Sequence, residues 1–171
     1  MAALSDYLES GLLNHLFRGF TFNKPSNIAI ALTSGVPQDS DTGVNIHNGG
    51  TLQELPSGTS PTDGSAQQLT GYARINLGDP SSAGDGKWDH KAEDISVGSG
   101  VIKNASSFLF DTGEGSAALV DWGWVSGIAI VDSGEWGTGN LLMWSALDNP
   151  RIIYTGDTVK FDASTLQISF K

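Results

Sequence analysis

DWGWVSGIAIVDSGEWGTGNLLMWSAL, residues 121–147, holds four of the chain's five tryptophans: Trp122, Trp124, Trp136 and Trp144. Successive side chains of an extended strand point to opposite faces. That period puts Trp122, Trp124, Ser126, Ile128 and Ile130 on one face, and Val125, Gly127, Ala129 and Val131 on the other. Both faces are largely apolar, so the segment reads as a central strand covered on both sides. In LLMWSAL, Leu142, Trp144 and Ala146 alternate against Leu141, Met143, Ser145 and Leu147, which again suits a covered strand. Trp122, Trp124 and Trp144 are therefore expected to be core anchors, each ring burying roughly 150–250 Å². Trp136 sits in the intervening turn SGEWGTGN with nothing regular around it, and is expected to be exposed.

The same period recurs along the chain. Asn27–Thr33 alternates with Ile28, Ile30 and Leu32 on one face, and Thr165–Phe170 with Leu166, Ile168 and Phe170 on one face. Further strands are expected at 68–77, 95–102, 106–110, 151–154 and 158–161, with a short one near 44–47. Gly156-Asp157 and Asp162-Ala-Ser separate the closing strands as tight turns. Two polar connections rich in Gly, Ser, Thr, Pro and Asp, residues 34–66 and 78–94, are long for compact domains and read as functional or partner-ordered loops.

Before Phe22 the period changes. Leu4, Leu8, Leu12 and Leu16 recur every four residues, and Leu13 and Phe17 widen the stripe, so a helix is expected over 5–18. Ser5 or Asp6 can cap its start, with Glu9 completing a capping box, and Gly19 suits its end. Gly11 weakens its middle by roughly 1 kcal/mol relative to alanine. The stripe is too apolar to face water, so it must pack on the chain's own sheet or on another subunit. Close-spaced short strands after one helix give a mostly β fold: an antiparallel β-sandwich or jelly roll with an N-terminal amphipathic helix, one domain spanning 1–171, its β part covering 23–171.

Composition narrows the function. The net charge of −10 at pH 7 argues against nucleic acid and anionic membranes, because the long-range field repels phosphate. With no cysteine the chain has no disulfide, thiolate nucleophile or Cys-based metal site. No run approaches a membrane span, and the leucine-periodic start lacks the features of a signal peptide, so synthesis in a cytoplasm is expected. His15, His47 and His90 are too scattered for metal ligands. His15 reads as a partner of the helix C-terminus and the others as loop residues. The loop acids fit no calcium pattern, nothing singles out a pair of carboxylates for glycoside hydrolysis, and no nucleophile elbow is present. Asn104-Ala-Ser106 is a formal glycosylation sequon without a secretory context. No enzyme, cofactor or metal is expected.

Taken in order, MAALSDYLESGLLNHLFRG, PSNIAIALTSGVP with SDTG, GYAR, GSGVIKNASSFLF, DWGWVSGIAIVDS, GNLLMWSAL and GDTVKF resemble a family of small tailed-phage virion proteins labelled tail-fibre-like or head decoration (cement) proteins. The resemblance implies an opening helix before a compact β domain, and a multi-copy structural role in the virion without catalytic residues. A capsid decoration protein clamping major capsid protein subunits is the first expectation, and a tail fibre or tail adaptor, bound to tail proteins of the same virion, is the alternative. A carbohydrate-binding module using Trp88 or Trp136 as a sugar platform is a more distant one. The chain is expected to be a homo-oligomer, a trimer or else a dimer. Leu8, Leu12, Leu16, Phe17, Trp88 and Trp136 are the candidate contact residues.

Overall fold

The computed structural model describes residues 3–44, 46, 54–55, 72–79, 88, 101–111 and 121–169. A two-residue strand β1 (Ala3–Leu4) leads into α1 (Asp6–Arg18). There follow β2 (Ile28–Thr33), β3 (Ile75–Gly78), β4 (Val101–Lys103), β5 (Phe108–Asp111), β6 (Gly123–Val131), β7 (Leu141–Ile153), β8 (Thr158–Phe161) and β9 (Gln167–Ser169). The described residues are mostly β with one helix near the start, and every strand pair among them is antiparallel. A five-stranded sheet runs β1-β7-β6-β2-β3, and two ribbons pair β4 with β9 and β5 with β8.

The centre of the large sheet is the β2–β6 pair. Ile30 opposes Ile130 and Leu32 opposes Ile128 on one face, while Ala31 opposes Ala129 on the other. The branched face carries most of the core. Ile30, Leu32, Leu77, Val125 and Ile128 pack with Phe110 and Val159 of the β5–β8 ribbon and with Tyr72, Trp122 and Ile153. Each such side chain stabilises the fold by roughly 1.5–3 kcal/mol on burial. The alanine face is shallower. Ala29, Ala31, Ala129 and Val131 pack with Leu141 and with Ile46 from the connection after β2, so part of that polar-looking loop closes the sheet.

The 121–147 stretch forms β6, a turn and the start of β7, but its alternation is interrupted. Gly123 has φ +77, a conformation open to glycine without steric cost, so the chain reverses its facing between Trp122 and Trp124. The β6–β7 register also shifts between Val125 and Gly127, opposite Arg151 and Ala146. Trp122 and Val125 therefore enter the core together with Ile128, and Trp124 is turned out, 51% exposed. The expectation that Trp124 is a core anchor is corrected. Neither a glycine in the left-handed region nor a bulge is visible in an alternation count.

β7 differs too. Expected as two strands at 141–147 and 151–154, it is one strand of 13 residues. Residues 147–150 have no partner in the β6 register, and Pro150, which lacks an N–H, sits in that unpaired bulge where no ladder bond is lost. Val44 and Ile46 lie in a turn, not in the short strand expected there, with the Ile46 amide donating to the Thr42 carbonyl (3.1 Å). The expected strand residues 68–71 and 95–100, and Phe170, lie outside the described residues, as does most of the 78–94 loop.

Candidate assembly surface

α1 sets the position of the surface. Ser5, not Asp6, is the N-cap. Its Oγ accepts from the Leu8 amide (3.2 Å) and donates to the Leu141 carbonyl, so one hydroxyl both starts the helix and ties it to β7. Gly19, left-handed at φ 71, ends it with its amide on the Asn14 carbonyl. Leu8 is buried and, with Leu4, Leu12 and Phe22 beside it, packs on Ile130, Leu142, Met143 and Ile168. A Cβ at Gly11 would run into the Phe22 ring, so the glycine that weakens the helix locally lets the returning chain lie against it. His15 Nδ1 receives the Phe22 amide (3.3 Å) and lies 3.0 Å from the Phe20 carbonyl, fastening the same return.

The stripe therefore divides. Leu8 is taken up within the chain and Leu12 half so. Leu13, Leu16, Phe17 and Phe20 stay outside, 57%, 68%, 78% and 66% exposed. Leu16 and Phe17, three and four residues after Leu13, share its helix face, bordered towards the helix N-terminus by Asp6 and Glu9, and Phe20 follows the helix-ending glycine. Leu13 and Phe20 both lay outside the expected contact residues; Phe20 falls after the helix-ending glycine, where the helical period no longer applies.

Trp88 and Trp136 are placed differently from expectation. Both are half-buried and pack against the main core, and the Trp136 Nε1 donates to the Leu55 carbonyl (2.9 Å). The expected exposure of Trp136 is corrected: the turn folds back over the core instead of projecting. Neither ring lies open as a sugar platform. Trp144 is half-buried against the alanine face, with Nε1 donating to Asp39 Oδ1 (3.1 Å). Trp122 is buried. A second exposed apolar group comprises Trp124, Ile152 opposite it on β7, and Tyr154.

A buried polar pin elsewhere in the fold had no signal in the sequence. Arg74 and Glu54 side chains are fully buried. Arg74 Nε and Nη2 donate to the two Glu54 oxygens (2.7 Å each), Nη1 to the Ser133 and Thr138 carbonyls (3.0 and 2.8 Å), and Nη2 to the Gly43 carbonyl (3.2 Å). All five guanidinium N–H groups are used. Tyr72 donates to Glu54 Oε1 (3.1 Å) and accepts from the Leu32 amide (3.0 Å). Burial, with the Glu54 carboxylate adding to it, pushes the Tyr72 hydroxyl well above its usual range, so it holds its proton and donates. The network joins β2, the β6–β7 turn and the connection between β2 and β3. It has no open side for a substrate and acts as a fastening.

Asn104 is a second pin. Its Nδ2 donates to the Ser106 and Asp162 carbonyls and its Oδ1 accepts from the Leu166 amide (2.9, 2.8 and 2.8 Å). Being 1% exposed, it is closed to the glycosylation that its sequon formally allows. Among the described residues, no group of three or more His, Cys, Asp or Glu is placed to hold a metal ion. None of their helices is long and apolar enough to cross a membrane. His47 and His90 lie outside the described residues.

Residues 3–169 match the family model described as Podophage GP4 fiber I protein gp80. No curated protein matches the chain. The match covers nearly the whole chain, and the chain belongs to this family of phage virion structural proteins.

Proposed function

We propose that the chain is a subunit of a podophage fibre, a non-catalytic part that works by being held in place and by holding its neighbours. Of the two virion roles read from the sequence, head decoration and tail fibre, the family match favours the fibre. That match is the observation that carries the reading. The outward ridge of α1 agrees with it: four large apolar side chains are left in water on a folded surface, and contiguous patches of that kind mark contact sites. The partners on this reading are other virion proteins, copies of the chain included.

The rest of the molecule fits a part selected for rigidity. An ion pair buried with all its donors satisfied is weak evidence for added stability, but it specifies one arrangement of the segments it joins. Mass spectrometry and immunogold labelling of purified virions test the proposal. The chain is expected at the tail, in a small symmetric set of copies. Labelling spread over the head shell would return the account to head decoration, and absence from virions would end it.

A further inference from the structure

The two sides of α1 have different surroundings. Leu8 and Leu12 pack within the chain, with Leu142, Met143 and Ile168. On the other side a single stripe runs along the helix at steps of three and four residues. Asp6 and Glu9 open it, and Leu13, Leu16 and Phe17 close it. All five are exposed. The acids stand in the first turn, where the helix dipole favours negative charge. The apolar half has no such local reason to face water. Phe20 stands exposed just past the helix end, its amide donating to the Asn14 carbonyl (3.3 Å).

We propose that this stripe pairs with the same stripe of a second copy of the chain. The two helices run antiparallel about a two-fold axis beside Leu16 and Phe17, so that Leu16 of each copy lies against Phe17 of the other. The proposal rests on the fibre-subunit reading and names the partner of that surface.

Area supports a contact between two such faces. Leu13, Leu16, Phe17 and Phe20 are each more than half exposed. Together they present on the order of 500 Å² of apolar surface, given roughly 150–250 Å² for each ring. Two copies together cover about 1,000 Å², the size from which a specific interface is expected. Both sides of the contact are already on the surface, so nothing in the core has to open. Charge sets the orientation. In a chain of net charge −10, a second copy fits only where the carboxylates stay apart. Parallel helices would set Asp6 and Glu9 beside their own counterparts, with the axes about 8–10 Å apart. Antiparallel overlap of the C-terminal halves puts the two Glu9 residues about 20 Å apart at a rise of about 1.5 Å per residue. That is past the screening length of about 8 Å. It uses the apolar half of each stripe and leaves every carboxylate of the stripe in water. A two-fold contact is isologous, so one patch serves both copies.

Sedimentation velocity and disulfide trapping of the intact chain test the proposal. The wild-type chain is expected to sediment with a concentration-dependent mass above that of the monomer. Leu16→Asp with Phe17→Asp, both at exposed side chains, should leave the circular dichroism unchanged and weaken association about tenfold or more. The chain has no cysteine, so introduced thiols report cleanly. Phe17→Cys, beside the axis, should oxidise to a covalent dimer. Glu9→Cys, far from it, should not. A monomer at every concentration overturns the proposal, and so does association that survives the double aspartate variant. Failure of Phe17→Cys to link overturns it as well. Linking of Glu9→Cys as readily as Phe17→Cys would mean a parallel pair or bundle and overturns the two-fold arrangement. If the chain is monomeric but found in virion tails, the fibre reading stands and this partner is wrong; if it associates through this face but is absent from virions, the reverse holds.

Discussion

Arg74 has five N–H donors and each finds an oxygen inside the protein. Removing one member of such a buried pair leaves an uncompensated charge, which costs about 3–5 kcal/mol. Arg74→Met and Glu54→Leu are each expected to destabilise by that amount in chemical denaturation, with the double variant recovering part of the loss. Arg74→Lys should not rescue, because an ammonium cannot reproduce the forked geometry. Tyr72 gives a pH test. Its folded pKa lies well above the ordinary value near 10, so in strong alkali the unfolded chain loses this proton first. The stabilisation is complete below about pH 10 and is lost as pH rises towards the folded value. Denaturation midpoints should fall above about pH 10, less steeply in Tyr72→Phe. The tryptophans part company here too. Trp122→Ala should cost about 3–5 kcal/mol as a core truncation, while Trp124→Ala should change stability by about 0.5 kcal/mol or less.

At the scale of the element, α1 joins folding to assembly, and its two sides separate the two. Ser5→Ala removes the N-cap and the hydrogen bond to Leu141, and is expected to cost about 1–2 kcal/mol in thermal unfolding. Leu12→Asp places a charge against the half-buried side and should impair folding. Leu16→Asp lies on the exposed side and should fold normally while failing to assemble, read by circular dichroism and by incorporation into particles. The helix was legible from its leucine period, its cap and Gly19, because all of these are local. Which leucines face outward was not legible, since that depends on where β7 and Ile168 lie. β2 was legible for the same local reason, as were β6 and the first half of β7. The facing of Trp124 was lost because one glycine torsion and one bulge reset the alternation. The fold of Trp136 onto Leu55 was lost because the partner is 81 residues away. Glu54 and Arg74, 20 residues apart with no motif around Glu54, meet only in three dimensions.

At the scale of the whole molecule, the chain is a β scaffold fastened from within and left apolar at chosen places on its outside. Order and content of short stretches, from the opening helix to GDTVKF, carried the resemblance to phage virion proteins, and the family match over residues 3–169 shows that membership and fits the tail-fibre alternative better than head decoration. No single stretch among them is diagnostic alone; their order and content together are. The most direct test is a reconstruction of the intact virion with this chain located in it. The account predicts a small symmetric set of copies in a fibre at the tail, with the Leu13–Phe20 face of α1 covered by a neighbouring subunit. Copies on the order of hundreds, spread over the head shell, or an α1 ridge facing solvent in the assembled particle, would contradict it.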